Sequence, residues 1–437
     1  MLPRSYWTER LKENLDLLRD YASLLAGSAG RLVLSLAYFV SVANGLSVGD
    51  FGLFATASAT GIVLSRIAGF GFVSPLYRTA TRRPRLIGTY TAGFLAALIV
   101  SLPVVAVAAV GFFLFFFEGE MAPAAFAAVI VAEVLCWRSL EVVVIVNNGM
   151  GRFFTGAVIV VAGSGVRALA ALAFVSFGDG SLVSWALFYL GANAAAMLGC
   201  LAFCYPRQRL RWRPDLYLGR MRDSLAVAGA EIVFYLQSEL DKLLVLSFGG
   251  PHTAGIYAIL MRLIDLTALP VRSFNTMIVQ KLMKAPGLLA TWRIRWGIEA
   301  GVALVSVAGL AFLGGVLHFF PRALGGNVAD AAPLVLIPLL VPAFRNLVEY
   351  EGELLYGRGK TATRAAIMAT VGLVKAGLLI VLLRRFEDES AWIAGLNGIF
   401  LVLWLLSAAA CYTALDRGAA RRRPVRGGFS EVPQPGE

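Results

Sequence analysis

Nine basic side chains stand inside apolar runs: Arg31, Arg66, Arg138, Arg167, Lys242, Arg262, Arg272, Arg345 and Lys375. At the centre of a bilayer each costs about 2.5–3.5 kcal/mol on insertion scales. Most must therefore face a bundle interior, a wet cavity or an acidic neighbour. Arg31 sits among Gly27, Ser28, Ala29 and Gly30 with no acid within a turn, and Arg66 also has no local acidic partner. Each is open to two readings, an anion contact facing a cavity or a pair with an acid from another helix; for Arg31 the first is favoured. Arg167 and Lys375 also lack local acids and divide between the same readings. Arg138 has Glu141 three residues on and Arg345 has Glu349 four on, spacings at which one helix pairs its own charges. A structural ion pair is the favoured reading there. Arg262, Asp265 and Arg272 share an arc of about 80°, so that Asp265 can satisfy Arg262 and leave Arg272 as a gate or a residue snorkelling to the inner interface.

The acids cluster differently. Glu231, Tyr235, Ser238, Glu239 and Lys242 occupy one arc of about 100°, with Asp241 beside it. Carboxylates within a membrane bind Na⁺ or carry protons, although Lys242 can neutralise one of these in a local pair. Glu349, Glu351 and Glu353 follow Pro333, Pro338 and Pro342, which should bend the helix and free carbonyls for ion binding; for Glu353, solvation at the inner interface suffices. The first half holds only Glu133 and Glu141 within its spans, whereas the second adds Asp265 and Glu299 to the acids just named. This asymmetry suggests anion recognition in the first half and cation coupling in the second. Glu231, Glu239, Asp241 and Glu349 are the coupling candidates, for H⁺ or Na⁺, and no other cofactor is expected. Two His and four Cys, the latter all in apolar runs, give no metal or redox motif. A phosphate-cradling loop is absent, and no segment between spans exceeds about 20 residues, so neither ATP hydrolysis nor an extramembrane catalytic domain is expected. The chain does not read as an enzyme.

The elements that must position these groups follow from composition. The chain has 437 residues, 58% of them hydrophobic, and its 15% charged residues compare with roughly 25% in soluble domains. Mean hydropathy is +0.74. A water-soluble fold would be left with large apolar patches, and an outer-membrane barrel would alternate apolar with polar residues; both are excluded. Apolar windows of crossing length fall at 21–43, 51–77, 86–117, 122–146, 153–175, 182–204, 224–248, 254–280, 296–320, 331–355, 365–383 and 391–415. Alternate segments between them carry 27 Lys and Arg on one side and only three on the other. The positive-inside rule then puts both termini in the cytoplasm, and the net charge of +12 points to membrane rather than nucleic acid. Residues 1–20 are mixed in charge, unlike a secretory signal, and Trp7, Leu11, Leu15 and Leu18 share one face. They read as an interfacial helix. Residues 206–223 form a basic cytoplasmic linker, and 416–437 a basic disordered tail.

Four short matches recur at nearly constant offset. Gly52-Leu53-Phe54-Ala55 is followed 203 residues later by Gly255-Ile256-Tyr257-Ala258, and Arg138-Ser139-Leu140 is followed 207 later by Arg345-Asn346-Leu347. Gly149-Met150-Gly151-Arg152 and Val166-Arg167-Ala168 have counterparts at offset 208, Gly357-Arg358-Gly359-Lys360 and Val374-Lys375-Ala376. Each match pairs span n with span n + 6. An even number of helices per half makes the halves parallel, related by an axis along the membrane normal. The expected fold is all-α: about twelve transmembrane helices in two pseudo-symmetric six-helix bundles, 21–205 and 224–415, around a central cavity.

The stretch Tyr235-Leu236-Gln237-Ser238-Glu239-Leu240-Asp241-Lys242-Leu243-Leu244, then Gly249-Gly250, Gly255-Ile256-Tyr257-Ala258 and Arg262, resembles polysaccharide (Wzx-type) flippases of the multidrug/oligosaccharidyl-lipid/polysaccharide exporter superfamily. The resemblance covers essentially the whole chain. It implies passage of an undecaprenyl-pyrophosphate-linked oligosaccharide from the inner to the outer leaflet of a bacterial inner membrane, for O-antigen, capsule or exopolysaccharide. It also implies partners among membrane lipids, the polysaccharide polymerase and chain-length proteins. A cationic cavity would hold the pyrophosphate; Arg31, Arg66 and Arg262 match that role by span and depth, with Arg167, Arg272 and Lys375 as further candidates. About two negative charges moving outward along an inside-negative potential gain roughly 4.6 kcal/mol per 100 mV. The rival readings are a multidrug exporter of the same fold, against which Arg31, Arg66 and Arg167, read as unpaired, argue, and a membrane-embedded glycosyltransferase or polymerase, against which the lack of a large outer loop argues.

Overall fold

Apolar runs in a bilayer satisfy their backbone only as helices, and the computed structural model is built of them. It describes residues 30, 32–268, 270–272, 274, 275, 278, 292–386 and 388–420, with side chains to residue 416. Arg31, the 1–20 segment, most of the 281–295 loop and 421–437 of the basic tail lie outside the described residues, whereas 416–420, expected in the disordered tail, continue α14.

In chain order, α1 (Leu32–Gly45) leads into α2 (Val48–Ile67), whose N-cap Ser47 accepts the Asp50 N–H. Helix α2 stops at Gly69 and Phe70, both at positive φ, and resumes as α3 (Val73–Arg82). Helix α4 (Ile87–Phe116) has Pro103 inside it. Helix α5 (Pro123–Val131) passes through a π-helical segment, Ala132–Trp137, into α6 (Arg138–Gly149). Helices α7 (Phe153–Phe177) and α8 (Leu182–Phe203) complete the first bundle. Helix α9 (Pro214–Thr267) runs 54 residues, twice what a bilayer needs. It folds back at Gly250, φ 77°, where Pro251 follows, and Tyr257 of the returning arm donates to Asp241 of the outgoing one at 2.7 Å. Then come α10 (Trp292–Phe319), α11 (Gly326–Ala331), α12 (Val341–Gly357), α13 (Thr361–Arg385) and α14 (Glu389–Ala420).

Among the described residues eight helices are long and apolar enough to cross a membrane. Counting α9 twice, and adding α1, the α5–α6 run and α12, brings the crossings to the expected twelve. One span differs: 332–340 is not regular helix but a short 3-10 turn followed by hydrogen-bonded turns. Pro333 and Pro338 fall in that stretch and Pro342 takes the first turn of α12, where a missing N–H costs nothing. The prolines thus delay the helix rather than bend it.

Large apolar side chains such as Phe115, Phe154, Phe177 and Phe203 are exposed, as a lipid-facing belt requires. Inside the first bundle Phe54, Phe174, Trp185 and Tyr189 interlock. The two bundles meet where α2 crosses the second arm of α9. There the repeat mates Gly52 and Gly255 face one another: a Cβ on Gly52 would strike the Gly255 nitrogen and the Pro251 carbonyl, and one on Gly255 would strike the Val48 carbonyl. Only glycine permits so close a backbone approach. At the same end of the molecule, Asn327 Nδ2 donates to the Ala43 and Leu46 carbonyls at 2.7 and 2.6 Å, and Asn44 Nδ2 donates to the Leu324 carbonyl at 2.8 Å.

Candidate functional site

Where α2 nears its break and α6 leaves the π-helical segment, three charged side chains converge on α9. Arg66 and Arg138, 5% and 2% exposed, both reach Glu141 at 3.0 Å. Arg138 also reaches Glu231 of α9 at 3.1 Å, and the Tyr235 ring lies 4.1 Å from the Arg66 guanidinium carbon. Two guanidiniums and two carboxylates balance, and the cluster joins the first bundle to the first helix of the second. The Arg138–Glu141 pair has the same-helix geometry its spacing allows, while Arg66 finds its acid on a different helix.

Deeper in the first bundle, Arg167 donates to Asn193 at 2.8 Å and lies 3.7 Å from Glu133, sandwiched against the rings of Trp137 and Tyr189. Glu133, 2% exposed, also accepts from Ser58 at 2.8 Å and from Tyr189. Sequence reasoning counted Glu133 among the acids without giving it a role. The signal was available only as its place on the π-helical segment, which local sequence does not announce.

The second bundle encloses a polar cavity of about 510 Å³ between α9, α12, α13 and α14. Its charges are matched. Lys375 of α13 lies 3.3 Å from Asp241, Lys242 holds Glu239, and Arg364 donates to Glu353 at 2.8 Å. Two expected pairs are replaced. Arg345 bonds Asp265 at 3.0 Å rather than Glu349, and Glu349 instead takes Arg272 at 3.2 Å. The reason is tertiary: α9 brings Asp265 against α12 between Arg345 and Arg272, which also lies 3.5 Å from it. Arg262, thereby released from Asp265, points to α1 and donates to Ser35. It is half-buried, and among the described residues no carboxylate lies within ion-pair distance of it. The expected separation into a cationic half and an acidic half is also replaced by interleaving, since Glu231 crosses to the first bundle.

The repeat extends further than the sequence matches indicated. The pair Arg66–Glu141 recurs as Arg272–Glu349, the arginines 206 and the glutamates 208 residues apart. The structure has therefore duplicated an ion pair between helices as well as the helices.

No family model matches the sequence, and no curated protein matches it. Solved structures do match. An inward-facing conformation of a multidrug resistance MATE family transporter of the MOP superfamily is similar with a TM-score of 0.64 at 15% identity, over 89% of this chain and 95% of that one. An outward-facing conformation of such a transporter gives 0.62 at 13%, over 93% and 96%. A MOP superfamily transporter from Pyrococcus furiosus, described by a binding pocket of reverse polarity, gives 0.59 at 15%, over 92% and 94%. Nearly the full length of this chain thus adopts the two-bundle fold of MATE transporters.

Proposed function

We propose that the chain is an alternating-access transporter of amphipathic organic molecules, of the multidrug-exporter kind. One observation carries the substrate class: with Arg66, Arg167, Arg272, Arg345 and Lys375 each facing a carboxylate, the charged surfaces are balanced rather than cationic. Of the three cations whose lack of a partner argued against this rival, Arg66 and Arg167 have one, and Arg31 lies outside the described residues. A matched lining flanked by Phe234, Tyr235 and Phe400 suits an apolar body with a polar or charged end. Alternation is supported by two like bundles whose backbones come close enough at Gly52 and Gly255 to pivot there. The charge bias of its loops supports cytoplasmic termini, with the joined end facing outward, and the resemblance to polysaccharide exporters supports a bacterial inner membrane.

A second reading is favoured by Arg262. A guanidinium without a counter-charge at the boundary with α1 suits a phosphate, as a flippase of lipid-linked oligosaccharide needs. Purified protein in liposomes discriminates the two. The lead reading expects outward movement of a fluorescent organic cation, unaffected by Arg262→Ala. Vesicles that pass no such cation but translocate a polyprenyl-pyrophosphate sugar, with loss in Arg262→Ala, would establish the flippase instead.

A further inference from the structure

On the side of α12 turned away from the cavity, Glu351 is 0% exposed. Among the described residues neither of its carboxyl oxygens has a hydrogen-bond partner. The surrounding groups are polar and equally unfinished: Ser407 Oγ and Trp404 Nε1 of α14 approach the carboxyl short of hydrogen-bond geometry, and the Tyr350 hydroxyl is buried without a partner. Glu299 of α10, 6% exposed, faces the same space and accepts from Tyr412. Every acid proposed for ion coupling from sequence has a basic partner: Glu231 has Arg138, Glu239 has Lys242, Asp241 has Lys375 and Glu349 has Arg272. Glu351 has none. An ionised carboxylate cannot persist in such surroundings unless it is paired or hydrogen-bonded.

We infer that Glu351 and Glu299 form a proton-binding site between α10, α12 and α14, with the exchangeable proton on Glu351. When the proton leaves, the carboxylate gains acceptor capacity that the Ser407 hydroxyl and the Trp404 indole N–H are placed to fill, drawing α14 toward α12. When it returns, those donors are released. The other charged groups facing the site are Arg295 of α10, which bonds Asp416 at 3.2 Å and approaches the Tyr412 ring, and Lys360 before α13, whose Nζ donates to the Ala414 carbonyl. Neither forms an ion pair with Glu351. A bound proton, rather than a metal ion, fits a carboxyl whose nearest neighbours include an indole N–H, a donor with no lone pair to give.

The test is an infrared titration of the full-length protein in lipid nanodiscs, without substrate. A protonated-carboxyl band that disappears as pH rises is expected in wild type, absent in Glu351→Gln and shifted in Ser407→Ala. The latter keeps the carboxyl and carries the test if Glu351→Gln does not fold. Persistence of the band in Glu351→Gln, or no shift in Ser407→Ala, would overturn the assignment. Its removal by Na⁺ at constant pH would make the site a sodium site and overturn the proton. The role of this proton in driving export rests on the transport reading and is measured separately. In vesicles Glu351→Gln should still exchange substrate across the membrane but no longer concentrate it under a pH gradient. A wild type that moves no substrate defeats the transport reading and leaves the infrared result standing.

Discussion

Glu141 accepts from two buried guanidiniums at once, so its loss is felt twice. Removing one partner of a buried ion pair costs about 3–5 kcal/mol, because the remaining charge stays desolvated. Glu141→Ala should accordingly lower the melting temperature of the detergent-solubilised protein more than Arg66→Met, which removes a charge and leaves Glu141 with Arg138. Equal melting temperatures for the two variants would show that Glu141 is not shared. The same cluster marks what a sequence can reveal. Arg138 and Glu141 are three residues apart, and helical spacing alone makes them neighbours. Arg66 and Glu141 are 75 apart, and nothing local links them. The repeat could have supplied the missing partner of Arg272, because Glu141 and Glu349 share the offset that relates Gly149 to Gly357. Arg262 escaped for the opposite reason: its sequence neighbour Asp265 is taken by α12.

Helices were the most legible elements, since unbroken apolar runs have only one way to satisfy their backbone in lipid. Their interruptions were less so. The π-helical segment at Ala132–Trp137 has no proline or glycine to announce it, yet Glu133 lies on it and Arg138 follows directly. The fold-back of α9 at Gly250 and Pro251 falls in the gap between the apolar windows 224–248 and 254–280. The crossing of α2 over α9 was visible only as a repeated glycine of unstated purpose. At that crossing a side chain on Gly52 has nowhere to go, because the obstructing atoms are backbone. Gly52→Val should therefore abolish transport or folded yield, whereas Gly229→Val, at a position of α9 with open space around it, should leave both unchanged. Normal transport by Gly52→Val would mean that the two bundles do not need this contact.

At the scale of the molecule, composition and the repeat specify two bundles, but not which end of them is closed, because that depends on contacts between loops far apart in the chain. The structure joins the bundles where the α1–α2 turn meets α11. Asn327 contributes two side-chain hydrogen bonds there, to the Ala43 and Leu46 carbonyls. At about 0.5–1.5 kcal/mol net for each bond, deleting both shifts the balance between closed and open ends by about 1–3 kcal/mol, or roughly 5- to 150-fold in population. Asn327→Ala keeps the backbone N–H that bonds Asn44 at 3.1 Å, so the loosened end remains folded and only its equilibrium moves. Spin labels on the α7–α8 turn and on the 321–325 turn, one in each bundle, would read this directly. Wild type should give one dominant short distance, and Asn327→Ala a second, longer population at the expense of the first. An unchanged distance distribution would mean that the Gly52–Gly255 crossing alone holds this end shut, and the bundles would then have to part at the glycines for the cycle to turn.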